Sequence, residues 1–342
     1  MNNRTISTIL IVLCGLSIVV GIFNLAFSSP SRGGVNNSQN FSGIFGGSAN
    51  GYKIAVVTLN GPITSDLSDG LLGEMYSAQS VEKSLRRASR DNSVKGVIIK
   101  INSPGGTVAM SQEIYSTVMR LRKRVPVVVS MSDLAASGGY YIASAADRIY
   151  AEPGTLTGSI GVIMSAMDAH ELLTNKLGIK SEVIKSGKFK DIASPYRPIT
   201  SDERSLLQNL INTTYQQFLK AIIAGRVDRN DLYTVKKSDL TVAVLNKYAD
   251  GRVLNGELAQ KLGFVDQLGG MYEAEKAVAS MAITKFNLPK NTKLQIVTYN
   301  RPGGLGETLF GMSKSFFPQK DQLFNAIPLS AKYPHQTLLV WE

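Results

Sequence analysis

The chain has 342 residues, with 37 Lys or Arg against 26 Asp or Glu, so its formal net charge is +11. The basic residues are scattered, except for a cluster at 120–124 at the end of a predicted helix. Because cations are common at helix C-termini, this cluster does not indicate nucleic-acid binding, and we expect no nucleic-acid partner. One cysteine and two histidines lack the spacing of a metal-binding motif. The composition therefore excludes a disulfide framework and predicts neither a metal site nor a cofactor.

The N-terminal stretch over residues 5–27 is apolar and carries no charge. At 1.5 Å per residue it is long enough to cross a hydrocarbon core of about 30 Å. Arg4 before it and the next charge at Arg32 favour a cytoplasmic N-terminus, with the rest of the chain on the extracytoplasmic side of the cell membrane. A cleaved signal peptide is the alternative, because Ala26 and Ser28 have suitable spacing. We predict a transmembrane anchor over 1–28 and, from its Ser, Gly and Asn content, a flexible linker over 29–52.

From Lys53 onward, apolar runs alternate with helical patterns. Each run ends in turn residues, and two of these turns are rich in glycine, at 102–106 and 135–139. Such alternation predicts right-handed crossovers and a largely parallel sheet, whose ligands bind at the carboxyl ends of the strands. The expected strands are 54–59, 96–101 and 126–130, and the expected helices are about 73–90 and 108–122.

The following part of the chain continues the α/β pattern. Gly178 is placed to end a helix, and Thr200 with Glu203 predicts a capping box that starts a long helix. The apolar run near 337–341 is predicted to be a last strand, and the alternative is a tail that inhibits the active site. The expected strands are 147–151, 160–164 and 181–185, and the expected helices are 168–177 and about 200–224, in an α/β domain over 53–285 with a C-terminal extension over 286–342.

The sequence Leu-Ala-Ala-Ser-Gly-Gly-Tyr-Tyr at 134–141 makes Ser137 a candidate nucleophile. It lies between a predicted strand and a predicted helix, where a sharp turn exposes a hydroxyl. A serine needs a base. His170 and His335 lie beside neither a strand end nor a turn motif, which disfavours a histidine triad. A lysine made neutral by burial is the other option, and Lys185, Lys188 and Lys190 are candidates.

A series of motifs identifies a family. In chain order they are Asn-Ser-Pro-Gly-Gly at 102–106, Ala-Ala-Ser-Gly-Gly-Tyr-Tyr at 135–141, Leu-Thr-Gly-Ser-Ile-Gly-Val at 156–162, Ser-Gly-Lys-Phe-Lys-Asp at 186–191 and Asp-Gly-Arg-Val at 250–253. From about residue 53 to 270 the chain resembles bacterial signal peptide peptidase A, a family of membrane-anchored serine proteases related in fold to Clp protease subunits and crotonases. The resemblance implies a core of repeated β-β-α units around a parallel sheet.

The resemblance also implies roles for particular residues. Ser137 matches the nucleophile and Lys190 matches the general base, in preference to Lys185 and Lys188. Ser159 matches a hydroxyl that orients the lysine. The oxyanion hole is implied to consist of backbone N–H groups of Gly105 or Gly106 and of Gly138.

The function that follows is a membrane-anchored serine endopeptidase with a Ser-Lys dyad. By the resemblance, it would hydrolyse cleaved signal peptides and other unfolded apolar segments, and it would assemble as a homo-oligomeric ring of short, single-module protomers. Two alternatives stay open at this point. One is a crotonase-like enzyme acting on acyl-CoA thioesters, and the other is a catalytically idle scaffold of the same fold.

Overall fold

A mostly parallel sheet organises residues 51–65, 77–228, 239–300 and 338–340, which are the residues that the structure, a computed structural model, describes. The predicted anchor and nearly all of the predicted linker lie outside them. The strands of the sheet are β1 Lys53–Asn60, β2 Val94–Ser103, β4 Val127–Ala136, β5 Arg148–Ala151, β6 Leu156–Gly158, β7 Val253–Asn255, β8 Gln267–Leu268 and β9 Gln295–Thr298. The order is β7-β6-β4-β2-β1-β9, with β5 beside β4 and β8 beside β5. Only the β6–β7 pair in this sheet is antiparallel.

Two further strands form a small antiparallel sheet, and helices cover both faces of the main sheet. The two strands are β3 Gly105–Thr107 and β10 Leu338–Val340. The α-helices are α1 Ala78–Arg90, α2 Val108–Leu121, α3 Gly138–Ala143, α4 Ser201–Ile222, α5 Val242–Tyr248, α6 Gly256–Lys261 and α7 Met271–Lys285, with π-helical turns at Leu172–Lys176 and Ile223–Val227. Among these helices, none has the length and apolarity needed to cross a bilayer.

Hydrophobic burial on both faces fixes the sheet. The central strand β2 is a nearly continuous apolar run, as expected where helices cover both faces. One face packs on α1, α2 and α3, which contribute Leu85, Ile114 and Tyr140 to the larger core. The other face packs on α7 through Ala274 and Val278. The predicted α/β class with a mostly parallel sheet is confirmed.

The sheet places the glycine-rich turns at one edge. β1, β2 and β4 run in parallel, so their carboxyl ends lie together, and the turns after β2 and β4 follow directly. After α7, the chain adds one more strand to the sheet: β9 pairs with β1, with Gln295 opposite Lys53.

Three local predictions after residue 153 are wrong. Residues 160–164 form no strand; the position beside β4 is taken by β6 at Leu156–Gly158, because Gly158 and Ser159 have positive φ values of 78° and 48° that turn the chain away. Residues 181–185 are exposed and pair with no strand. The helix predicted at 168–177 is mostly a π-helical turn. Residues 160–164 and 181–185 belong to no strand of the described chain, so their local preference for a strand is not realised.

Two other local predictions hold. Gly178 ends its helical turn with φ 66°. The capping box of α4 is present: the N–H of Glu203 donates to Thr200 Oγ1 (3.3 Å), and the N–H of Thr200 donates to Glu203 Oε2 (2.9 Å).

Candidate active site

Ser137 makes the turn between β4 and α3. Its backbone has φ 52° and ψ −112°, a strained conformation for a residue with a side chain, and such strain gathers at functional sites. Its N–H donates to the carbonyl of Gly158 (2.8 Å), which fastens the turn to β6. The side chain is fully buried, and Oγ has no hydrogen-bond partner in the described part of the chain. A buried hydroxyl without a partner is costly, so its retention here fits a group that reacts with a substrate.

Glycines surround the serine because no side chain fits there. A Cβ on Gly106 would lie 2.0 Å from the carbonyl oxygen of Ile63. A Cβ on Gly138 would lie 2.6 Å from Ser111 Oγ and 3.2 Å from the backbone nitrogen of Gly106. The turn after β2 and the start of α3 are therefore in close backbone contact beside Ser137.

The two candidate oxyanion donors after β2 have different neighbours. The N–H of Gly105 donates to Ser103 Oγ (3.1 Å), so this amide is already engaged. The amide of Gly106 instead lies next to Gly138. Gly106 also belongs to β3, where it is paired with Leu339 of β10.

Ser159 is brought next to the serine turn by the sheet. Ala136 is paired with Gly158 across β4 and β6, so the two residues that follow, Ser137 and Ser159, leave the sheet side by side. Ser159 is buried, has φ 48°, and its N–H donates to the carbonyl of Arg252 (2.8 Å). Its hydroxyl is therefore held in the same small region as Ser137.

The three candidate lysines have different surroundings. The ammonium of Lys185 is ion-paired with Asp191, and Lys188 Nζ lies 2.6 Å from a carboxylate oxygen of Asp202. Lys190 is exposed, and within the described residues its ammonium has no ion pair and no hydrogen bond. Lys190 is thus the candidate whose amine is not held by a carboxylate. The structure does not join it to Ser137, whose Oγ contacts no donor or acceptor.

Arg197, which the sequence patterns did not indicate, fixes the segment that contains Lys190. Arg197 Nη2 and Nε donate to both carboxylate oxygens of Asp191 (2.8 and 2.9 Å), and its Nη1 donates to Glu203 (2.8 Å). The guanidinium lowers the pKa of Glu203 to about 2 and also lowers that of Asp191. These contacts fasten the residue after Lys190 to the start of α4. The pairs are six residues apart, a spacing that belongs to neither helix nor strand, so no periodicity could reveal them.

The segment around the lysines exposes large apolar side chains. Met167 is 74% exposed and Ile184 is 96% exposed. Single exposed apolar residues are ordinary, but a concentration of them marks an interaction surface. The others between residues 163 and 196 are Ile163, Leu172, Leu177, Ile179, Val183, Phe189 and Tyr196.

The strand predicted near the C-terminus lies against the glycine turn. β10 pairs in antiparallel fashion with β3, with Leu339 opposite Gly106 and Val340 opposite Gly105. The edge of β3 beside Ser137 is thus paired with an extended segment of the same chain.

The described histidine makes no contact with the serine. His170 Nδ1 lies 2.8 Å from the carbonyl oxygen of Tyr196, in the exposed segment. His335 lies outside the described residues.

Two family profiles match the chain. Residues 119–285 match the profile of Peptidase family S49, and residues 66–156 match that of Clp protease. The first of these stretches contains both Ser137 and Lys190, and the second contains the glycine turn after β2.

Three relatives are informative. The chain is 38% identical over 277 residues to a protein of Methanocaldococcus jannaschii named as a candidate protease, covering 77% of this chain and 85% of that protein. It is 34% identical over 223 residues to a protein of Enterococcus faecium named as a candidate signal peptide peptidase SppA, covering 65% of this chain and 61% of that protein. It is 32% identical over 260 residues to the chloroplastic serine protease SPPA of Arabidopsis thaliana, covering 73% of this chain and 36% of the plant protein.

Proposed function

The chain belongs to peptidase family S49 and is a serine peptidase, and on that premise we propose that it is a membrane-anchored endopeptidase with Ser137 as nucleophile and Lys190 as base. The observation that carries the proposal is the geometry of Ser137. This residue is buried and strained, its Oγ lacks a partner among the described residues, and its turn is in close backbone contact with the glycine turn after β2.

The chemistry follows from these positions. Neutral Lys190 takes the hydroxyl proton as Ser137 Oγ bonds to the carbonyl carbon of the peptide, and the N–H groups of Gly106 and Gly138 stabilise the oxyanion. Lys190 then gives the proton to the leaving amine as the C–N bond breaks, and water hydrolyses the acyl-enzyme. Ser159 would hydrogen-bond the amine of Lys190 and orient it.

The substrate class we propose is a cleaved signal peptide or another unfolded apolar segment. The pairing of β10 with β3 supports binding of an extended chain at this edge, because main-chain hydrogen bonds require a substrate without folded structure. The Enterococcus relative carries signal peptide peptidase in its name. The predicted anchor over 1–28 would place the site outside the cytoplasm, near peptides left in the membrane.

We propose further that Ser137 and Lys190 come within hydrogen-bond distance only when the chain is assembled in a homo-oligomeric ring. Lys190 lies in a segment rich in exposed apolar side chains, and such a surface is normally covered. A second copy that covers this segment would desolvate Lys190, which favours the neutral amine that the mechanism needs. An inactive scaffold is the remaining alternative, and labelling distinguishes it.

The test combines labelling with hydrolysis. We expect a fluorophosphonate probe to label wild-type protein at Ser137, and we expect Ser137→Ala to lose labelling and roughly 10⁶-fold in kcat for an apolar peptide. Lys190→Ala should lose labelling and activity to a comparable degree, whereas the matched variant Lys188→Ala should keep both. Peptide hydrolysis by the Lys190→Ala variant would remove Lys190 from the mechanism.

Mixing the two inactive variants tests whether the dyad forms within one chain of the ring or across two copies. If Ser137 and Lys190 act across copies, an equal mixture of Ser137→Ala and Lys190→Ala should recover about a quarter of wild-type activity, because random assembly pairs intact residues at that frequency. No recovery after subunit exchange would show that the dyad forms within one chain.

A further inference from the structure

The edge of the sheet opposite Ser137 is strongly basic. The strands begin at this edge, and α1, α2 and α7 end here, since each helix runs back against the strands. Lys285 Nζ of α7 donates to the carbonyl of Lys123 (3.1 Å), so the ends of α7 and α2 meet. We call the following exposed or half-buried cations the basic edge: Lys53, Arg90, Lys95, Lys123, Arg124, Lys285, Lys290 and Lys293.

Few negative charges balance the basic edge. Across residue 53 and segments 90–95, 122–126 and 285–294, the sequence contains a single carboxylate, Asp91. That carboxylate is occupied: it accepts hydrogen bonds from Ser93 Oγ and from Tyr299 Oη (both 2.6 Å), and it lies 3.6 Å from Lys53 Nζ. Asp147, outside these segments, also acts on Lys285. The positive charge without a carboxylate partner among the described residues therefore lies with Arg90, Lys95, Lys123, Arg124 and Lys290.

A groove of about 290 Å³ opens in the basic edge between the ends of α1 and α2. The ammonium of Lys95 lies over the rings of Tyr52 and Phe286, at 4.9 and 4.6 Å from their centroids, and the described residues give it no carboxylate partner. Arg124 is exposed, and its Nη1 donates to the carbonyl of Ser89. Both cations line the groove, and so does Asp91, whose carboxylate accepts hydrogen bonds from Ser93 and Tyr299. Neither cation has to break an ion pair within the described residues to bind an anion there.

We propose that the basic edge binds the phosphate groups of anionic membrane phospholipids, with one headgroup held in the groove between Lys95 and Arg124. A phosphate suits two cations of this kind, because a guanidinium donates through a fork and an ammonium acts as a point charge. The other cations of the edge would lie along the headgroup layer.

The position at which the N-terminal segment joins the domain favours a lipid over a free phosphate as the ligand. The described chain starts at Gly51 and enters β1 at this edge. The 23 residues of 28–50 are rich in Gly, Ser and Asn, and a coil of that length has a root-mean-square span of about 27 Å. The inference rests on the proposed membrane anchor, which would keep this edge close to headgroups. Attraction of basic groups to an anionic surface acts over about 10 Å.

The test uses the full-length chain in lipid nanodiscs. Amide hydrogen exchange is compared between discs of phosphatidylcholine alone and discs that also contain phosphatidylglycerol. We expect exchange of residues 86–96 and 119–126 to slow about fivefold with the anionic lipid and to recover in high salt. Residues 100–107, at the opposite edge, should exchange equally in both lipids.

Charge variants locate the effect. Lys95→Gln with Arg124→Gln should abolish the lipid-dependent protection, whereas Lys247→Gln with Lys261→Gln, an equal change of charge on α5 and α6, should keep it. If circular dichroism shows that the first pair is unfolded, Lys290→Gln with Lys293→Gln replaces it and should reduce the protection. Peptide hydrolysis in detergent should be unchanged in all of these variants, so loss of binding to lipid is separable from loss of the proposed activity.

Three outcomes would overturn the inference. Equal protection in both lipids would show that charge is not recognised. Protection by millimolar inorganic phosphate, in discs without anionic lipid, would assign the groove to a soluble anion. Failure of the chain to enter discs at all would contradict the anchor and therefore the inference that depends on it, while leaving the peptidase assay unaffected.

Discussion

The two regions that carry the proposed dyad are built in opposite ways. Around Ser137, residues 135–147 are all buried, and the turn is fixed by sheet pairing on one side and by a glycine contact on the other. Around Lys190, residues 175–190 are all exposed, and the main fixed points are ion pairs. The proposed nucleophile is thus part of the core of the domain, and the proposed base is not.

The difference shows what each half of the site depends on. Burial of the apolar strands β2 and β4 forces Ser137 into its strained turn, since the surrounding core holds the backbone in place. The segment with Lys190 has apolar side chains but nothing in the described chain that covers them. Its position relative to Ser137 is therefore set weakly by the chain itself, which is what assembly into a ring would remedy.

The largest expected effect compares two isoleucines, one from each region. Ile99 is fully buried in β2 and Ile184 is 96% exposed. Ile99→Ala should lower the free energy of unfolding by about 4 kcal/mol, and Ile184→Ala by less than about 0.5 kcal/mol. Urea unfolding measures both. A large loss from Ile184→Ala in dilute protein would show that the lysine segment is packed in the single chain.

A smaller effect is expected from filling the glycine contact. Gly106→Ala places a Cβ 2.0 Å from the carbonyl oxygen of Ile63, so either backbone must move, at a cost of about 3 kcal/mol. The same movement should displace the amide proposed for the oxyanion hole and lower kcat. Gly154→Ala is the control, because a Cβ at Gly154 meets no atom within 4 Å. Equal stability of the two variants would mean that the turn beside Ser137 is not tightly packed.

The smallest effect concerns the ion pairs of the lysine segment. Arg197 lowers the pKa of Glu203 from its ordinary value of 4.5 to about 2. Stability from a lowered carboxyl pKa is present above the unfolded value and is lost as pH falls through the folded one. Between about pH 5 and pH 2, wild-type protein should therefore lose more free energy of unfolding than Arg197→Met does. Arg204→Met, an exposed change on the helix that contains Glu203, should behave as wild type. Parallel pH curves for all three proteins would show that the ion pairs of Arg197 do not contribute to stability.

Much of the site could be read from local sequence. The glycine turns at 102–106 and 135–139, each after an apolar run, predicted the parallel sheet and the edge at which Ser137 lies, because turn chemistry and periodicity are local properties. The capping box at Thr200 was predictable for the same reason. Family motifs, and not periodicity, directed attention to Ser159 and Lys190.

Tertiary structure decided the rest. The run at 160–164 is apolar enough for a strand, but β6 already occupies the edge of β4, and the positive φ of Ser159 turns the chain away. The hydrogen bond from the N–H of Gly105 to Ser103 Oγ and the pairing of Gly106 with Leu339 appear only in the folded chain. The ion pairs of Arg197 with Asp191 and Glu203, and the cations of the basic edge, involve residues whose spacing in sequence follows no period. Only the folded chain brings these residues together. Local sequence thus determined most of the elements and made Ser137 the candidate nucleophile, whereas the partners of each group followed from how the elements pack.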